Sequence, residues 1–294
     1  MRNLTAEHLF NVQNILGEGP LWHPLQHRLY WVDIINGDLY QSDESLTAFT
    51  KTHFDCQIGA FGFRKAGGFI LATSRGFSTW DKDQSEPIFF WNPLPTNRSY
   101  VRLNDGKVDP AGRFWAGSMD TQNALGALYR IDPDGSQHTM LHNLGISNGL
   151  GWSPDCQIMY STDSLKYRIY AFDYHLKSGN ISNQRDFVKL PMDNSEIVPD
   201  GLCVDAEGCV WSAHWNGWQV MRYDPTGQPI SMINLPVQRV TSCCFGGNDR
   251  SKLFITTARE GLTPTDLQDQ PNAGDVFVCQ TNTVGQSANL FEYF

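Results

Sequence analysis

The chain alternates short apolar stretches with clusters of Gly, Pro, Asp and Asn. Six of these stretches share one plan, an apolar strand, a tight turn and a second strand rich in aromatic and β-branched residues. They read "GPLWHPLQHRLYWVD", "FGFRKAGGFILAT", "GKVDPAGRFWAGS", "GLGWSPDCQIMYST", "GLCVDAEGCVWSA" and "CCFGGNDRSKLFITT". Each predicts a β-hairpin. Further strand-like pieces, "GDLYQSD", "GALYRIDPDG", "YRIYAFD", "WQVMRYDPTG" and "GDVFVCQ", predict a third strand after most of the hairpins.

The spacing of the hairpins decides the fold. Taking the third residue of "WHP", "FRK", "VDP", "WSP", "VDA" and "FGG" as an anchor gives Pro24, Lys65, Pro110, Pro154, Ala206 and Gly247. Successive anchors are 41, 45, 44, 52 and 41 residues apart, the length of a four-stranded propeller blade. A β-sandwich, with turns about every 8–12 residues, predicts no such period. The expected architecture is therefore all-β, a single six-bladed β-propeller domain with four-stranded blades over residues 1–294.

The same period samples one structural position six times. Six residues before the anchors stand Glu18, Gly59, Asn104, Asn148, Asp200 and Thr241. The first strand of each propeller blade lines the central channel, so these positions are expected to ring one channel mouth. Four of them carry Glu, Asn or Asp, with a glycine next or one residue further on that is expected to permit the turn aiming the side chain at the axis. Taken singly, Asn or Asp before Gly is an ordinary turn residue, but Glu is not. Converging carboxylates and amides repel one another and lose hydration unless a cation sits between them. An all-oxygen set suits Ca²⁺, Mg²⁺ or Mn²⁺, and carboxylates also bind Zn²⁺. Three or four protein ligands leave the shell open to water or substrate, as a catalytic metal requires.

Composition narrows the partners. A formal charge of -9 with no basic stripe argues against nucleic acid. The N-terminal "MRNLTAEHLF" lacks the apolar core of a signal peptide, and no apolar run approaches the roughly 18 residues of a membrane span. A cytoplasmic protein with a small-molecule substrate and no membrane partner is expected. The seven cysteines are odd in number and lack zinc spacing, which predicts reduced, mostly buried thiols.

"GEGPLW", "RLNDGKVDPAGRFWAGSM", "ISNGLGWSPD", "VPDGLCVDAEGCVW" and "TSCCFGG" followed by "REGL" run over essentially the whole chain. Together they resemble the regucalcin, or gluconolactonase, family of six-bladed propellers, which are metal-dependent sugar lactonases. The resemblance implies that Glu18, Asn148 and Asp200 bind one divalent metal ion and that Arg102 and Asn104 contact the substrate, a sugar lactone such as gluconolactone, opened to the aldonic acid. Asp200 is the expected general base, since a carboxylate at the metal can also take a proton from water. Animal regucalcins carry an insertion with glutamates after "GTM", whereas "GSMDTQNALGALY" is short and offers only Asp120 and Gln122, so the sugar preference of those relatives does not carry over. His214 is expected to be a half-buried structural histidine, and Asp163 first a loop hydrogen-bonding residue. Two other readings stand beside this one. One is a calcium- or partner-binding propeller without turnover, which would be expected to have lost the base, Arg102 or the ligands. The other is a hydrolase of a different ester or of a phosphotriester, which an apolar pocket rim would favour.

Overall fold

A computed structural model describes residues 2–292. All six predicted hairpins form. Their first strands, Gly17–His23, Ile58–Phe63, Arg102–Val108, Ser147–Trp152, Val198–Val204 and Val240–Gly246, are the innermost strands of blades 1 to 6, and each blade runs outward through antiparallel neighbours to a fourth strand. The molecule is a six-bladed β-propeller. Two short N-terminal strands were not expected. Glu7–Phe10 pairs antiparallel with Val276–Gln280 and supplies the outer strand of blade 6, while Arg2–Thr5 lies parallel to Pro229–Asn234 as a fifth strand on blade 5.

The apolar faces pack in six separate clusters, one between each pair of neighbouring blades. Blades 3 and 4 meet through Trp115, Trp152 and Tyr174, and the ring closes between blades 6 and 1 where Trp22 stacks on Phe254 at 5.5 Å between ring centroids. Burying one large side chain of this kind contributes about 1.5–3 kcal/mol. The repeated "VDP" and "VDA" are structural, because Asp109 and Asp205 each accept the indole N–H of the next strand's tryptophan, Trp115 or Trp211, at 2.9 Å.

The ring positions have a shared backbone cause. In every blade the pairing of the two inner strands slips at or beside the ring residue, leaving a β-bulge next to Glu18, Gly59, Asn104, Asn148, Asp200 and Thr241. A bulge bends its strand and re-aims a side chain, so a residue within the strand can face the channel mouth. The expectation about the glycines is corrected here. Only Gly19 takes a left-handed conformation, at φ +54°, whereas Gly149 and Gly201 are there for room. A Cβ on Gly149 would lie 2.6 Å from the Asp200 carbonyl oxygen, and one on Gly201 would lie 2.1 Å from Ser242 Oγ.

The opposite mouth is crossed by the C-terminal segment. Gln286 Nε2 donates to the carbonyls of Trp152 and Val204 at 2.9 and 3.3 Å, Asn289 Nδ2 donates to that of Val108 at 3.1 Å, and the Phe291 N–H reaches Phe63 O at 2.8 Å. One segment thereby ties together the lower ends of the inner strands of blades 2 to 5.

Candidate functional site

At the upper mouth the ring opens into a cavity of about 490 Å³. Glu18, Arg102, Asn104, Asn148 and Asp200 line its floor, all buried. The structure thus brings together every residue expected at the site. The two ring positions without a ligand oxygen have structural duties. Thr241 turns its hydroxyl onto the Gly17 carbonyl at 2.6 Å, and a Cβ on Gly59 would lie 2.3 Å from Leu103 O.

Each floor residue is held by a local contact. Glu18 Oε2 accepts the Gly19 N–H at 2.7 Å. Asn148 donates through Nδ2 to Ser164 Oγ at 3.1 Å, and that hydroxyl donates to Pro199 O at 2.7 Å. Ser164 therefore fixes which end of the Asn148 amide faces the cavity. Asn148 Oδ1 and Asp200 Oδ1 are left buried without a hydrogen-bond partner, a costly state for polar oxygens unless a ligand completes them.

The electrostatics carry the same strain. Glu18 is pushed up to about 8 by burial and by the nearby Asp105 charge, against the pull of the Gly19 N–H and Arg102. Asp200 is raised well above the usual carboxylate range by burial, then by Glu18 and Asp105. Asp105, a third buried carboxylate that sequence reasoning did not single out, is itself raised by burial and partly relieved by Lys107 and the Gly106 N–H. Lys107 Nζ reaches the Leu202 carbonyl at 2.6 Å. Burial lowers Arg102 to about 10, opposed by Glu260, Glu18 and Asp200. Buried carboxylates at Glu18, Asp105 and Asp200 thus raise one another's affinity for protons, and Arg102 and Lys107 relieve them only in part.

These features fit a divalent cation. Glu18, Asn148 Oδ1 and Asp200 Oδ1 are hard oxygens facing one cavity, two of them without a partner. Among the described residues no group of three or more His, Cys, Asp and Glu side chains forms a metal cage, so the ligand set depends on the Asn148 amide.

Asn104 lines the cavity, yet both ends of its amide are engaged. Its Oδ1 accepts from Arg102 Nη1 at 2.6 Å, and its Nδ2 donates to Ser147 O at 2.9 Å. Asn104 thereby orients Arg102, whose Nη1 also reaches Leu103 O at 3.1 Å. Asp120 is not a pocket residue. It is fully buried, ion-paired with Arg98, and accepts the backbone N–H groups of Gln122 and Asn123 at 3.3 and 3.0 Å. Gln122 is exposed and away from the cavity. Asp163 has the expected bonding role, accepting the Gly145 and Ile146 N–H groups. His214 is fully rather than half buried, hydrogen-bonded to Tyr223 and Gln219, and lowered to about 4 by burial.

The cavity walls were not legible from the sequence motifs. They mix apolar Met119, Ile146, Leu165 and Trp215 with Glu196, Arg239 and Glu260. Met119 and Trp215 end the second strands of blades 3 and 5, Leu165 lies in a short 3-10 turn, and Ile146, Glu196, Arg239 and Glu260 come from connections, all outside the positions that the repeat marks.

Comparison with known proteins agrees with this architecture. Human regucalcin is 39% identical over 270 residues, which cover 89% of each chain. A solved structure of a calcium-binding protein, regucalcin, from Agrobacterium tumefaciens superposes with a TM-score of 0.92 at 24% identity, covering 99% of this chain and 98% of that one. A gluconolactonase from Xanthomonas campestris shares the fold at TM-score 0.72 and 23% identity, over 93% of this chain and 88% of its own. Residues 16–259 match the profile of the SMP-30/Gluconolactonase/LRE-like region, and with that span and the human relative the chain belongs to this family.

Proposed function

We propose that the protein is a divalent-metal-dependent lactonase that opens sugar lactones to aldonic acids. The observation that supports this best is the pair of buried, unpartnered oxygens, Asn148 Oδ1 and Asp200 Oδ1, facing the same cavity as Glu18 and Arg102. Glu18, Asn148 and Asp200 would hold the ion, with Ca²⁺ or Zn²⁺ favoured and Mg²⁺ or Mn²⁺ chemically acceptable. When bound, such an ion supplies Lewis acidity that polarises a carbonyl and acidifies water.

The chain's own groups account for the remaining needs of ester hydrolysis. Asp200 takes the proton of the attacking water and returns it to the ring oxygen as the acyl–oxygen bond breaks, which leaves the open-chain acid. Arg102, clamped through Nη1, has further N–H groups, one of which would serve the developing oxyanion. Asn104 holds that guanidinium in place. Trp215, Met119, Ile146 and Leu165 limit water above the reacting carbonyl.

A propeller that only stored calcium would need the ligand oxygens but neither a clamped arginine nor an open cavity beside them. The mixed rim argues in the same direction, since charged Glu196, Arg239 and Glu260 suit hydroxyl-rich substrates better than phosphotriesters or aromatic lactones. All seven cysteines are free thiols, which fits a cytoplasmic, reducing location. No helix among the described residues is long and apolar enough to cross a membrane. The test is a panel of aldonolactones assayed with metal-stripped protein to which Ca²⁺, Zn²⁺, Mg²⁺ and Mn²⁺ are restored one at a time. Ring opening restored by at least one ion is expected, and no ring opening with any of them overturns the reading.

A further inference from the structure

The cavity holds charges of both signs apart. Arg102 makes no ion pair among the described residues, its Nη1 being committed to Leu103 O and Asn104 Oδ1. Glu260, in the turn after the blade 6 strand Lys252–Thr257, lines the same cavity with an exposed side chain that forms no hydrogen bond or ion pair among the described residues. Its backbone is pinned, since the Glu260 N–H donates to Ile15 O at 2.9 Å. Glu260, Arg102 and Arg239 line one cavity, and no ion pair among the described residues joins Glu260 to either arginine. Arg239 stands beside them, stacked on Trp215 at 4.6 Å, bonded to Gly261 O at 3.3 Å, with a buried Nε that has no partner.

A guanidinium and a carboxylate that line one cavity without pairing fit a ligand group that accepts from one and donates to the other. A hydroxyl does both. A singly charged substituent satisfies one side and opposes the other, and an unsubstituted ring satisfies neither. The floor already provides for the reacting carbonyl, so this gap is left for the hydroxyl-bearing part of the ring. The loop after Met119, buried around Asp120, contributes no carboxylate to the cavity.

We propose that Glu260 is a specificity-determining residue whose carboxylate accepts a hydrogen bond from a ring hydroxyl of the lactone, with Arg102 donating to that hydroxyl's oxygen. Blade 6 then supplies the acidic contact to the sugar that the short blade 3 loop does not. This rests on the lactonase reading above.

The test uses the metal-loaded protein and Glu260→Ala and Glu260→Gln variants, matched for melting temperature. Each is assayed on glucono-δ-lactone and on δ-valerolactone, which has no hydroxyls, and titrated calorimetrically with gluconate. Losing a hydrogen bond to a charged acceptor predicts a rise of about 10- to 100-fold in KM for gluconolactone in Glu260→Ala, with a far smaller change in kcat. The preference for gluconolactone over δ-valerolactone in kcat/KM falls by the same factor, and Glu260→Gln, which keeps an acceptor oxygen, recovers part of it. Equal effects on the two lactones, or no effect on either, overturn the proposal. If the wild type opens neither lactone, the lactonase reading fails on its own, and gluconate binding decides: weakened binding in Glu260→Ala supports the contact, and unchanged binding overturns it.

Discussion

Replacing Gly149 by alanine tests whether the approach of two backbones sets the geometry of the ligand ring. Gly149 follows Asn148, one of the proposed metal ligands, and has an ordinary φ, so alanine meets no conformational objection there and the question is only one of room. Its Cβ would lie 2.6 Å from Asp200 O, 2.7 Å from Leu202 N and 2.8 Å from Leu202 Cγ. Ordinary contact begins near 3.4 Å, so the shortfall is about 0.8 Å, and two of the three obstacles are backbone atoms that cannot rotate away. The inner strands of blades 4 and 5 must separate, and Asn148 and Asp200 separate with them. Overpacking of this kind costs about 1–3 kcal/mol, or about 2–12 °C in Tm at about 2–4 °C per kcal/mol. Misplacing a ligand's support typically weakens metal binding about 10- to 100-fold. Calorimetric titration with calcium or zinc, paired with thermal melts, reads both quantities. Gly62→Ala is the control, because its Cβ would meet only side chains, Val108 at 2.7 Å, Ile70 at 3.2 Å and Phe114 at 3.4 Å, away from the ring. That variant should melt lower and bind metal normally. A Gly149→Ala protein that melts lower yet keeps the wild-type metal Kd refutes the reasoning.

Further predictions concern the floor of the cavity. Asp200→Asn keeps an oxygen for the ion but cannot take a proton, so kcat should fall about 10²–10⁴-fold with a much smaller loss of metal affinity, and steady-state kinetics beside calorimetry separates the two. Ser164→Ala frees the Asn148 amide to turn over, which should weaken metal binding about 10-fold or more at nearly unchanged Tm. Glu18 is raised from 4.5 to about 8, so the metal-free folded state keeps a proton that the unfolded chain has released. That contribution is fully present below the unfolded value and is lost as pH rises through about 8, a change of at most about 5 kcal/mol at 1.36 kcal/mol per unit. Melts of stripped and metal-loaded protein should therefore diverge between pH 5 and about 9, and parallel curves would show that the ion does not relieve Glu18.

The hairpin period made blades and ring readable because each blade repeats the same packing problem against its neighbour. Glu18, Asn148 and Asp200 were visible as one position sampled in different blades. The two N-terminal strands were not, because "RNLT" and "EHLF" are four-residue edge segments whose partners lie more than two hundred residues away. Asp105, Lys107 and Ser164 were missed for a related reason. Asp105 and Lys107 act across blades, on groups that only closure of the propeller brings near, and Ser164 joins Asn148 of its own blade to Pro199 of the next. The bulges were also silent in sequence, although they carry the ring, because a register slip leaves no compositional mark when its residues differ from blade to blade. Asp120, whose role the sequence left open, spends its charge on Arg98 and on its own turn.

The C-terminal segment that crosses the lower mouth turns a channel into a cul-de-sac. Gln286 and Asn289 bridge inner strands there, so the reading of the upper mouth as the route to the ring follows from the segment that covers the other end. If the proposed reaction holds, an aldonic acid leaving the site retreats along the path by which the next lactone arrives, past the same rim. Product and substrate then queue for one passage, and the steady state they reach is governed by how quickly that passage clears as well as by the chemistry at its end.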